Sequence, residues 1–282
     1  MLRASRAIAQ AALDLVFPPR CVRCSVDLDN VNGHIATGDV ASRDDAGKEG
    51  AIGDTVNGNG ACEDVALCAA CLDTLSQLRL PCCRKCGALV EGKLIEGKTT
   101  TQAGCPRCRG RGFRFVSVVH LGVYEGDLRT AVLSAKHARR QPLAAALGDL
   151  LCRRRREELL SFSPEVVVPT PMFWRRRMVR CANSPDMMAG RLARGLRIPS
   201  HPMLRRRRNT APQGGLGGGE RINNLRGAFR RRGGYDCRGA RVLLVDDVMT
   251  TGATCGEATE ALLDAGASQV TVAVIARSEG PR

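Results

Sequence analysis

Hydrophobic residues in the second half of the chain form short apolar runs separated by helical patterns. Apolar runs at 113–124, 166–168, 242–245 and 270–276 predict strands, because short runs bounded by polar residues are typical of strands in a buried sheet. Apolar residues at helical spacing between these runs predict four helices. One helix starts near residue 126, and the other three cover 142–160, 184–196 and 254–265. Strands that alternate with helices predict an α/β fold with a doubly wound parallel sheet.

The remaining segments have other patterns. A modest apolar run before Phe17-Pro18-Pro19 predicts a docked helix over residues 1–20, although an arginine-containing, acid-poor start is also typical of organelle transit peptides. Residues 25–67 are rich in Gly, Asp and Asn, which is typical of a disordered insertion. Residues 205–232 are basic and glycine-rich and predict a long loop. We therefore expect three regions: an N-terminal helix at 1–20, a cysteine-rich region at 21–110 and an α/β domain at 111–282.

Cysteine spacing indicates two metal sites. The chain has fourteen cysteines, and eight of them form Cys-x-x-Cys pairs. Two such pairs can supply four thiolates to a tetrahedral zinc ion, which leaves no position open for water and makes the zinc structural. Pairing in chain order predicts one site from Cys21, Cys24, Cys68 and Cys71, and a second from Cys83, Cys86, Cys105 and Cys108. Interleaved pairing and buried free thiols are the alternatives, and Cys82 lies close enough to compete with Cys83.

The segment 242–254, VLLVDDVMTTGAT, contains the strongest candidate chemistry. It predicts a buried strand that ends at Asp246 and Asp247, a short loop, and the start of a helix. Ligands of open α/β sheets bind at the carboxyl ends of strands, and a helix N-terminus with close backbone N–H groups is suited to a phosphate. The two carboxylates cannot bind phosphate, but they can accept hydrogen bonds from neighbouring hydroxyls. The segment therefore predicts a ribose 5-phosphate site, in which the phosphate binds to Thr250, Thr251, Gly252, Ala253 and Thr254.

An ordinary capped turn is the alternative reading of this segment, because Thr and Asp are common helix caps. A cap explains one of these residues but not the whole run. The ribose-phosphate interpretation also makes a structural demand. The loop must face a cleft, and its carboxylates must not be locked into internal ion pairs.

The same segment resembles the signature of type I phosphoribosyltransferases, which bind phosphoribosyl pyrophosphate (PRPP) with Mg²⁺. With the cysteine-rich region in front, the chain from about residue 15 to residue 278 resembles the ComF family of bacterial zinc-ribbon proteins, which are linked to competence and DNA uptake. Further matches are FPPRCVRC at 17–24, Asn183, and VPTP at 168–171, which the resemblance places where type I enzymes hold pyrophosphate. Matches in the loop before the final strands are Thr210, Gln213, Arg221, Asn224, Leu225, Arg226, Gly227 and Phe229. Cys181-Ala182-Asn183-Ser184 and Leu216-Gly217 depart from the family pattern, in the region expected to select the acceptor.

The resemblance implies roles for individual residues. Asp246 and Asp247 would hold the ribose hydroxyls and act as the catalytic pair, while the loop would hold the 5′-phosphate. Lys136, Arg175 and Arg176 are implied as pyrophosphate contacts. The implied reaction is displacement of pyrophosphate from C1 of PRPP through an oxocarbenium-like state, with Mg²⁺ neutralising the leaving group.

Charge distribution leaves a second reading open. Residues 25–67 hold nine acids and two bases, which gives this segment a net charge of −7. Because the whole chain has a net charge of +15, the residues outside this segment carry +22. Arginine runs at 153–156, 175–177, 205–208 and 230–232 are suited to polyanions, but the aromatic content of 3% provides few rings for base stacking. The alternatives are a solvated basic face and a non-catalytic adaptor that binds single-stranded DNA or a DNA helicase.

Composition narrows the cellular setting. A hydrophobic content of 44% is enough for a packed core, and no apolar stretch is long enough to predict a membrane span. No secretory signal pattern precedes the cysteines, so we expect thiols in a reducing compartment and a cytoplasmic protein. His120, His137 and His201 have no partner at metal-ligand spacing, and we expect them to serve packing. The sequence indicates no oligomeric state.

Overall fold

The structure, a computed structural model, describes residues 19–28, 66–76, 81–90, 105–172, 183–207 and 225–279. The predicted helix at 1–20 and the predicted disordered insertion lie almost entirely outside these residues. Among the described residues, no helix is long and apolar enough to cross a membrane.

A four-stranded parallel sheet forms the centre of the fold. Its strands are β1 (Val118–Val123), β2 (Val166–Pro169), β5 (Arg241–Met249) and β6 (Gln269–Arg277), and β3 and β4 form a separate ribbon described below. The four strands lie in the order β1-β6-β5-β2, and every neighbouring pair is parallel. Strands β5 and β6 occupy the middle of the sheet and are almost fully buried, which explains their continuous apolar sequences.

Helices cover both faces of this sheet. The helices are α1 (Ala69–Leu75), α2 (Gly126–Ala135), α3 (Gln141–Arg154), α4 (Arg156–Ser161), α5 (Ser184–Leu196) and α6 (Ala253–Asp264), with a short 3-10 helix at Ala138–Arg140. Side chains of α2, α3 and α5 form one apolar core with one sheet face, and α6 forms a second core with the other face. The predicted doubly wound α/β class is confirmed.

Three predicted elements have different boundaries in the structure. β1 begins at Val118 rather than at residue 113, and the predicted helix at 142–160 is two helices separated at Arg155. Arg155 donates from Nε to the carbonyl of His120 at 3.1 Å, a contact with β1 that local periodicity cannot reveal. β5 runs on through both aspartates to Met249, because its pairing with β6 continues to that residue.

The expectation of a continuous loop over residues 205–232 is wrong at both ends. Leu204–Arg206 (β3) and Phe229–Arg231 (β4) form an antiparallel two-stranded ribbon. Leu204 and Phe229 are buried against α6 and the sheet, which supplies the apolar contact that holds the ribbon in place. Residues 208–224 lie outside the described part.

His120 and His201 pack against neighbouring groups in the structure. His120 is 3% exposed on β1, and its Nδ1 lies 3.1 Å from the carbonyl of Gly122. Burial, followed by the charge of Arg155, lowers the pKa of His120 to about 4, so its ring is neutral at physiological pH. His201 packs against Tyr235 with ring centroids 5.3 Å apart, and His137 is exposed.

Candidate functional site

The two aspartates lie at the carboxyl end of β5 beside the end of β2. Thr170, which directly follows β2, donates its hydroxyl to Oδ1 of Asp246 at 2.9 Å. The backbone N–H of Asp247 donates to the same oxygen at 2.9 Å. Asp246 is 9% exposed, whereas the side chain of Asp247 is 20% exposed. Asp246 therefore lies at the floor of the site and Asp247 on its wall.

Burial changes the chemistry of Asp246. Burial, followed by the charge of Asp247, raises the pKa of the Asp246 carboxyl to about 7, despite the hydrogen bonds from Thr170 and the backbone. The carboxyl thus changes its charge near neutral pH, and only its ionised form is a full acceptor for two ribose hydroxyls.

Lys136 lies across from the aspartates at the end of α2. Its Nζ is 2.9 Å from Oδ2 of Asp247, and its side chain is 31% exposed. Burial lowers the pKa of the Lys136 ammonium, but the charge of Asp247 outweighs that effect, so the pKa is raised and Lys136 stays charged. The predicted pyrophosphate contact is therefore engaged by an acid of the site itself.

The loop at 250–254, called the threonine loop below, connects β5 to α6. Gly252 has a φ of +80°, in the left-handed region that side chains disfavour. A Cβ at this position would lie 2.7 Å from Cε of Met249 and 2.9 Å from Cζ of Phe113. The Thr251 hydroxyl accepts from the N–H of Ala253 at 3.3 Å, so it caps the first turn of α6. Glycine is required here by both the turn and its surroundings.

We expect Gly252→Ala to destabilise the protein by about 1–3 kcal/mol, because it adds left-handed strain and a contact with the Phe113 ring. The displaced loop should also bind phosphate more weakly. The control is Gly190→Ala on α5, where an added Cβ meets no atom within 4 Å and should stabilise the helix slightly. Urea unfolding of both variants measures the difference, and equal stabilities would contradict the strained-turn assignment.

The aspartates and the loop line one cleft of about 300 Å³. Its walls come from the ends of β1, β2, β3 and β5 and from the starts of α5 and α6. The lining residues are Tyr124, Lys136, Thr170, Pro171, Met172, Asn183, Pro185, Arg206, Asp246, Asp247, Val248, Thr250 and Thr254. The loop faces a cleft, as the ribose-phosphate interpretation requires.

The ribose-phosphate interpretation also requires that the two carboxylates are not locked into internal ion pairs, and this requirement is met only in part. Asp246 is held by hydrogen bonds from Thr170 and the Asp247 N–H, whereas Asp247 forms an ion pair with Lys136. Both members of that ion pair reach the cleft, so a ligand can approach them. A ribose hydroxyl that bonds to Asp247 must share the carboxylate with Lys136 or displace the ammonium.

Other predicted site residues have different positions. Thr250 and Thr254 line the cleft directly, whereas Thr251, Gly252 and Ala253 do not line it. Arg175 and Arg176 lie outside the described residues, so their predicted pyrophosphate contacts stay predictions.

Sequence reasoning missed several members of the site. Tyr124 and Arg206 were not predicted as site residues. Thr170 was not named individually, although the resemblance places its VPTP segment at the pyrophosphate position and the segment follows a predicted strand. That position after a strand was the available signal for Thr170. Arg206 had no such signal, because the ribbon that carries it was expected to be a loop.

The eight predicted cysteines form two separate groups. The first cysteine cluster is Cys21, Cys24, Cys68 and Cys71, and the second is Cys83, Cys86, Cys105 and Cys108. Within each cluster all sulfur atoms lie within 4.8 Å of one another, as pairing in chain order predicts. Individual sulfur distances include 3.7 Å for Cys24–Cys68, 3.9 Å for Cys83–Cys108 and 3.6 Å for Cys86–Cys105. A tetrahedral ion with metal–sulfur bonds of about 2.3 Å requires sulfur separations of about 3.8 Å, so both clusters could hold zinc.

Each cluster is attached to a different part of the α/β body. Arg23 of the first cluster's knuckle forms an ion pair with Asp127 at the start of α2 and donates to the Thr74 hydroxyl at 2.8 Å. The second cluster packs against Phe113 and against β1, where Gly87 leaves space for His120. Cys82 is not part of either cluster.

Comparison with known proteins identifies the class of this site. A family model described as phosphoribosyl transferase domain matches residues 186–281, which include the aspartates and the threonine loop. Together with the parallel sheet and its cleft, this match defines a phosphoribosyltransferase-like domain that follows two four-cysteine clusters.

Relatives of known name identify the family. The chain is 31% identical over 217 residues to the DNA utilization protein YhgH of Salmonella typhi, which covers 75% of this chain and 90% of that protein. It is 34% identical over 119 residues to Competence protein F of Haemophilus influenzae, covering 41% of this chain and 51% of that protein. The chain belongs to the ComF family.

Solved structures that are similar to part of this chain include two phosphoribosyltransferases. The adenine phosphoribosyltransferase of Leishmania donovani has a TM-score of 0.33 and 18% identity, and covers 57% of this chain and 73% of that chain. The purine phosphoribosyltransferase of Pyrococcus horikoshii has a TM-score of 0.30 and 17% identity, and covers 56% of this chain and 89% of that chain.

Proposed function

We propose that the cleft binds the ribose 5-phosphate part of PRPP together with Mg²⁺. The observation that carries this proposal is the shared cleft of an acid pair and a loop at a helix N-terminus, one suited to ribose hydroxyls and the other to a phosphate. Neither group alone selects this ligand, because caps and surface acids are common. Both groups lie at the carboxyl end of β5 in one cleft, where a single ligand could contact them together.

Different residues of the cleft would contact different parts of PRPP. Asp246 and Asp247 accept hydrogen bonds from the 2′- and 3′-hydroxyls, and the N–H groups and hydroxyls of the threonine loop bind the 5′-phosphate. Lys136 leaves Asp247 to contact the pyrophosphate, together with Arg175 and Arg176. Bound Mg²⁺ would neutralise charge on the pyrophosphate.

In the enzymatic form of this proposal, the protein is a phosphoribosyltransferase that transfers the ribose phosphate to an acceptor. The bond between C1 and the pyrophosphate oxygen breaks while C1 gains a bond to the acceptor. The aspartates favour the positive charge that develops on the ring, so positioning and electrostatics supply the rate. Release of pyrophosphate from PRPP in the presence of an acceptor is the readout for this form.

Titration calorimetry of PRPP with Mg²⁺ into the zinc-loaded protein tests the proposal. We expect 1:1 binding that strengthens as pH rises from 6 to 8, because Asp246, whose pKa is raised to about 7, must be ionised to accept two hydroxyls. The absence of heat across this pH range with folded protein would contradict the proposal. Ribose 5-phosphate and inorganic pyrophosphate, titrated separately, report which half of PRPP the cleft selects.

We also propose that each cysteine cluster holds one structural zinc ion. The sulfur separations of 3.6–3.9 Å support this assignment, since they match the edges of a tetrahedron with metal–sulfur bonds of about 2.3 Å. Reduced thiolates need a reducing environment, and for this reason we place the protein in the cytoplasm.

A specific observation favours nucleic-acid binding as a second function. In the β3–β4 ribbon, Arg205 lies directly opposite Arg230, and both are exposed. Like charges in directly opposed cross-strand positions destabilise a ribbon, and a bound polyanion removes this repulsion. Arg207, Arg231 and Arg232 extend the exposed positive surface. We propose that single-stranded DNA binds along this ribbon, either directly or while held by a helicase partner.

Single-strand binding measured over a range of salt concentrations tests the ribbon. The double variant Arg205→Gln/Arg230→Gln should weaken binding and reduce the salt slope by about 0.7 for each phosphate that the protein no longer neutralises. Arg153→Gln/Arg154→Gln, which removes two exposed arginines at the end of α3, is the matched control and should retain more of the slope. Equal salt slopes for the two double variants would show that the ribbon is not the DNA-binding surface.

A further inference from the structure

A buried arginine lies between the second cysteine cluster and the threonine loop. Arg277, the last residue of β6, is 7% exposed. Its Nε donates to the carbonyl of Cys86 at 2.8 Å. Its Nη1 donates to the carbonyls of Met249 at 3.1 Å and Thr250 at 2.7 Å, and also to that of Ser278. One guanidinium thus joins a cluster ligand to the loop.

The residues that follow Arg277 strengthen this connection. The N–H of Ser278 donates to the carbonyl of Met249 at 2.9 Å. Glu279 accepts from the N–H of Leu89 at 3.0 Å and forms an ion pair with Arg107, which lies inside the second cluster's Cys105–Cys108 knuckle. The strap 277–279 therefore contacts both knuckles of the cluster on one side and the end of β5 on the other.

Two more contacts connect the second cysteine cluster to the threonine loop. Phe113 packs against the second cluster and also lies under Gly252, within 3 Å of where a Cβ would stand. Arg111, three residues after Cys108, donates from Nη1 to the carbonyl of Thr251 at 3.2 Å. The carbonyls of three consecutive residues, Met249, Thr250 and Thr251, are therefore bonded to arginines next to or bound to the cluster.

These contacts fix the direction of the loop's amides. In a trans peptide, the carbonyl and the following N–H lie in one plane and point in opposite directions. Fixing the carbonyls of residues 249–251 therefore aims the N–H groups of Thr250, Thr251 and Gly252 away from the arginines. Amides held in one direction bind an anion without the entropy loss of ordering a free loop.

We propose that Arg277 is a positioning residue that couples the second cysteine cluster to the threonine loop, so that the metal-loaded cluster is needed for full affinity toward the ribose phosphate. This inference rests on the proposed function of the loop. It assigns the second cluster a role in ligand binding in addition to its structural role. Binding coupling is reciprocal, so the ligand must in turn stabilise the metal in that cluster.

Reciprocity provides the test. Zinc affinity of the full-length protein is measured by equilibrium competition with a chromogenic chelator, with and without PRPP and Mg²⁺, alongside PRPP affinity by calorimetry. In the wild type, we expect the ligand to raise the affinity for one of the two zinc ions about 5- to 10-fold. The variants are Arg277→Met and Arg277→Lys. The control is Arg241→Met, which removes a half-buried arginine that also donates to a backbone carbonyl, at the opposite end of the sheet.

We expect both Arg277 variants to bind PRPP about 10-fold more weakly and to lose the protection of zinc by the ligand. Arg277→Lys keeps the charge but replaces the separate Nε and Nη1 donors, which bond to Cys86 and Thr250, with a single nitrogen, so it should not restore the coupling. It also keeps the test decisive if Arg277→Met does not fold. Wild-type affinity and protection in Arg277→Lys, with two zinc ions bound, would overturn the inference alone. No PRPP binding by the wild type would overturn both the inference and the proposed function.

Discussion

Asp246→Asn is expected to weaken PRPP binding by about 10- to 100-fold while making the folded protein more stable at pH 8. The loss of affinity follows from removing a charged acceptor, whose hydrogen bonds contribute about 1.5–3 kcal/mol each. The gain in stability follows from the buried position of the carboxylate, 9% exposed and next to a second acid. The two effects have opposite signs, so general unfolding cannot explain them together.

The pH dependence of this stability gain has a defined direction. The pKa of Asp246 is raised from an ordinary value of 3.8 to about 7 in the folded protein. Between pH 3.8 and about 7, the Asp246 carboxyl binds more protons in the folded state than in the unfolded state. The free energy of unfolding of the wild type therefore falls as pH rises through this range, and the destabilisation is complete above about pH 7. Asparagine does not titrate, so we expect the variant to gain about 1–3 kcal/mol at pH 8 and little at pH 4.

Asp247→Asn is the comparison that separates the two acids. Asp247 accepts the Lys136 ammonium at 2.9 Å, so its loss leaves a partly buried cation without this partner and should lower stability by roughly 1 kcal/mol. Binding should weaken as well. Asp264→Asn, at an exposed position on α6, should change neither affinity nor pH dependence. Urea unfolding at several pH values and calorimetry measure these quantities, and wild-type affinity in Asp246→Asn would refute the ribose assignment.

Loss of zinc from the second cysteine cluster should produce the other large effect. We expect the wild type to contain two zinc ions per chain, and Cys86→Ser to contain one. Structural zinc contributes about 10–16 kcal/mol to folding in zinc-finger peptides, and in this larger fold we expect a loss of several kcal/mol. The loss should extend to the threonine loop, because Phe113 and Arg277 contact both.

Cys82→Ser is the matched control for this prediction. Cys82 is the neighbour of Cys83 and lies outside the cluster, so its replacement should leave two zinc ions and nearly unchanged stability. Metal content by mass spectrometry and the unfolding temperature Tm with and without a chelator measure the outcome. Two zinc ions in Cys86→Ser, or one in Cys82→Ser, would show that the ligand set is wrong.

Parts of the fold that depend on local pattern were predictable. Helix α5 begins and ends at the predicted residues, because its apolar face repeats at helical spacing and Arg197 ends it in a left-handed conformation. The four Cys-x-x-Cys pairs followed from spacing alone, because a Cys-x-x-Cys turn brings two sulfurs together without help from the rest of the chain. The sequence left open which pairs combine, and the structure groups them in chain order. The acid pair and Gly252 were likewise adjacent in sequence and share one strand–loop–helix unit.

Features that depend on distant partners were not predictable. Helix α3 ends at Arg154 because Arg155 turns to a carbonyl on β1, and the ends of the expected loop pair as β3 and β4 because buried Leu204 and Phe229 anchor them. Lys136 was predicted as a pyrophosphate contact from the family resemblance, but its ion pair with Asp247 requires the end of α2 to meet the end of β5.

The sequence by itself predicted the α/β class, the four Cys-x-x-Cys pairs and the acidic and threonine-rich segment of the cleft. These depend on periodicity and on short spacing, which the order of residues specifies directly. Only the tertiary structure decided that Thr170 bonds to Asp246, that Arg206 reaches the cleft and that Arg277 joins a cluster cysteine to the threonine loop. The physical reason is that sheet order brings the ends of separate strands together, and parallel strands become neighbours through crossovers whose partners no local pattern specifies.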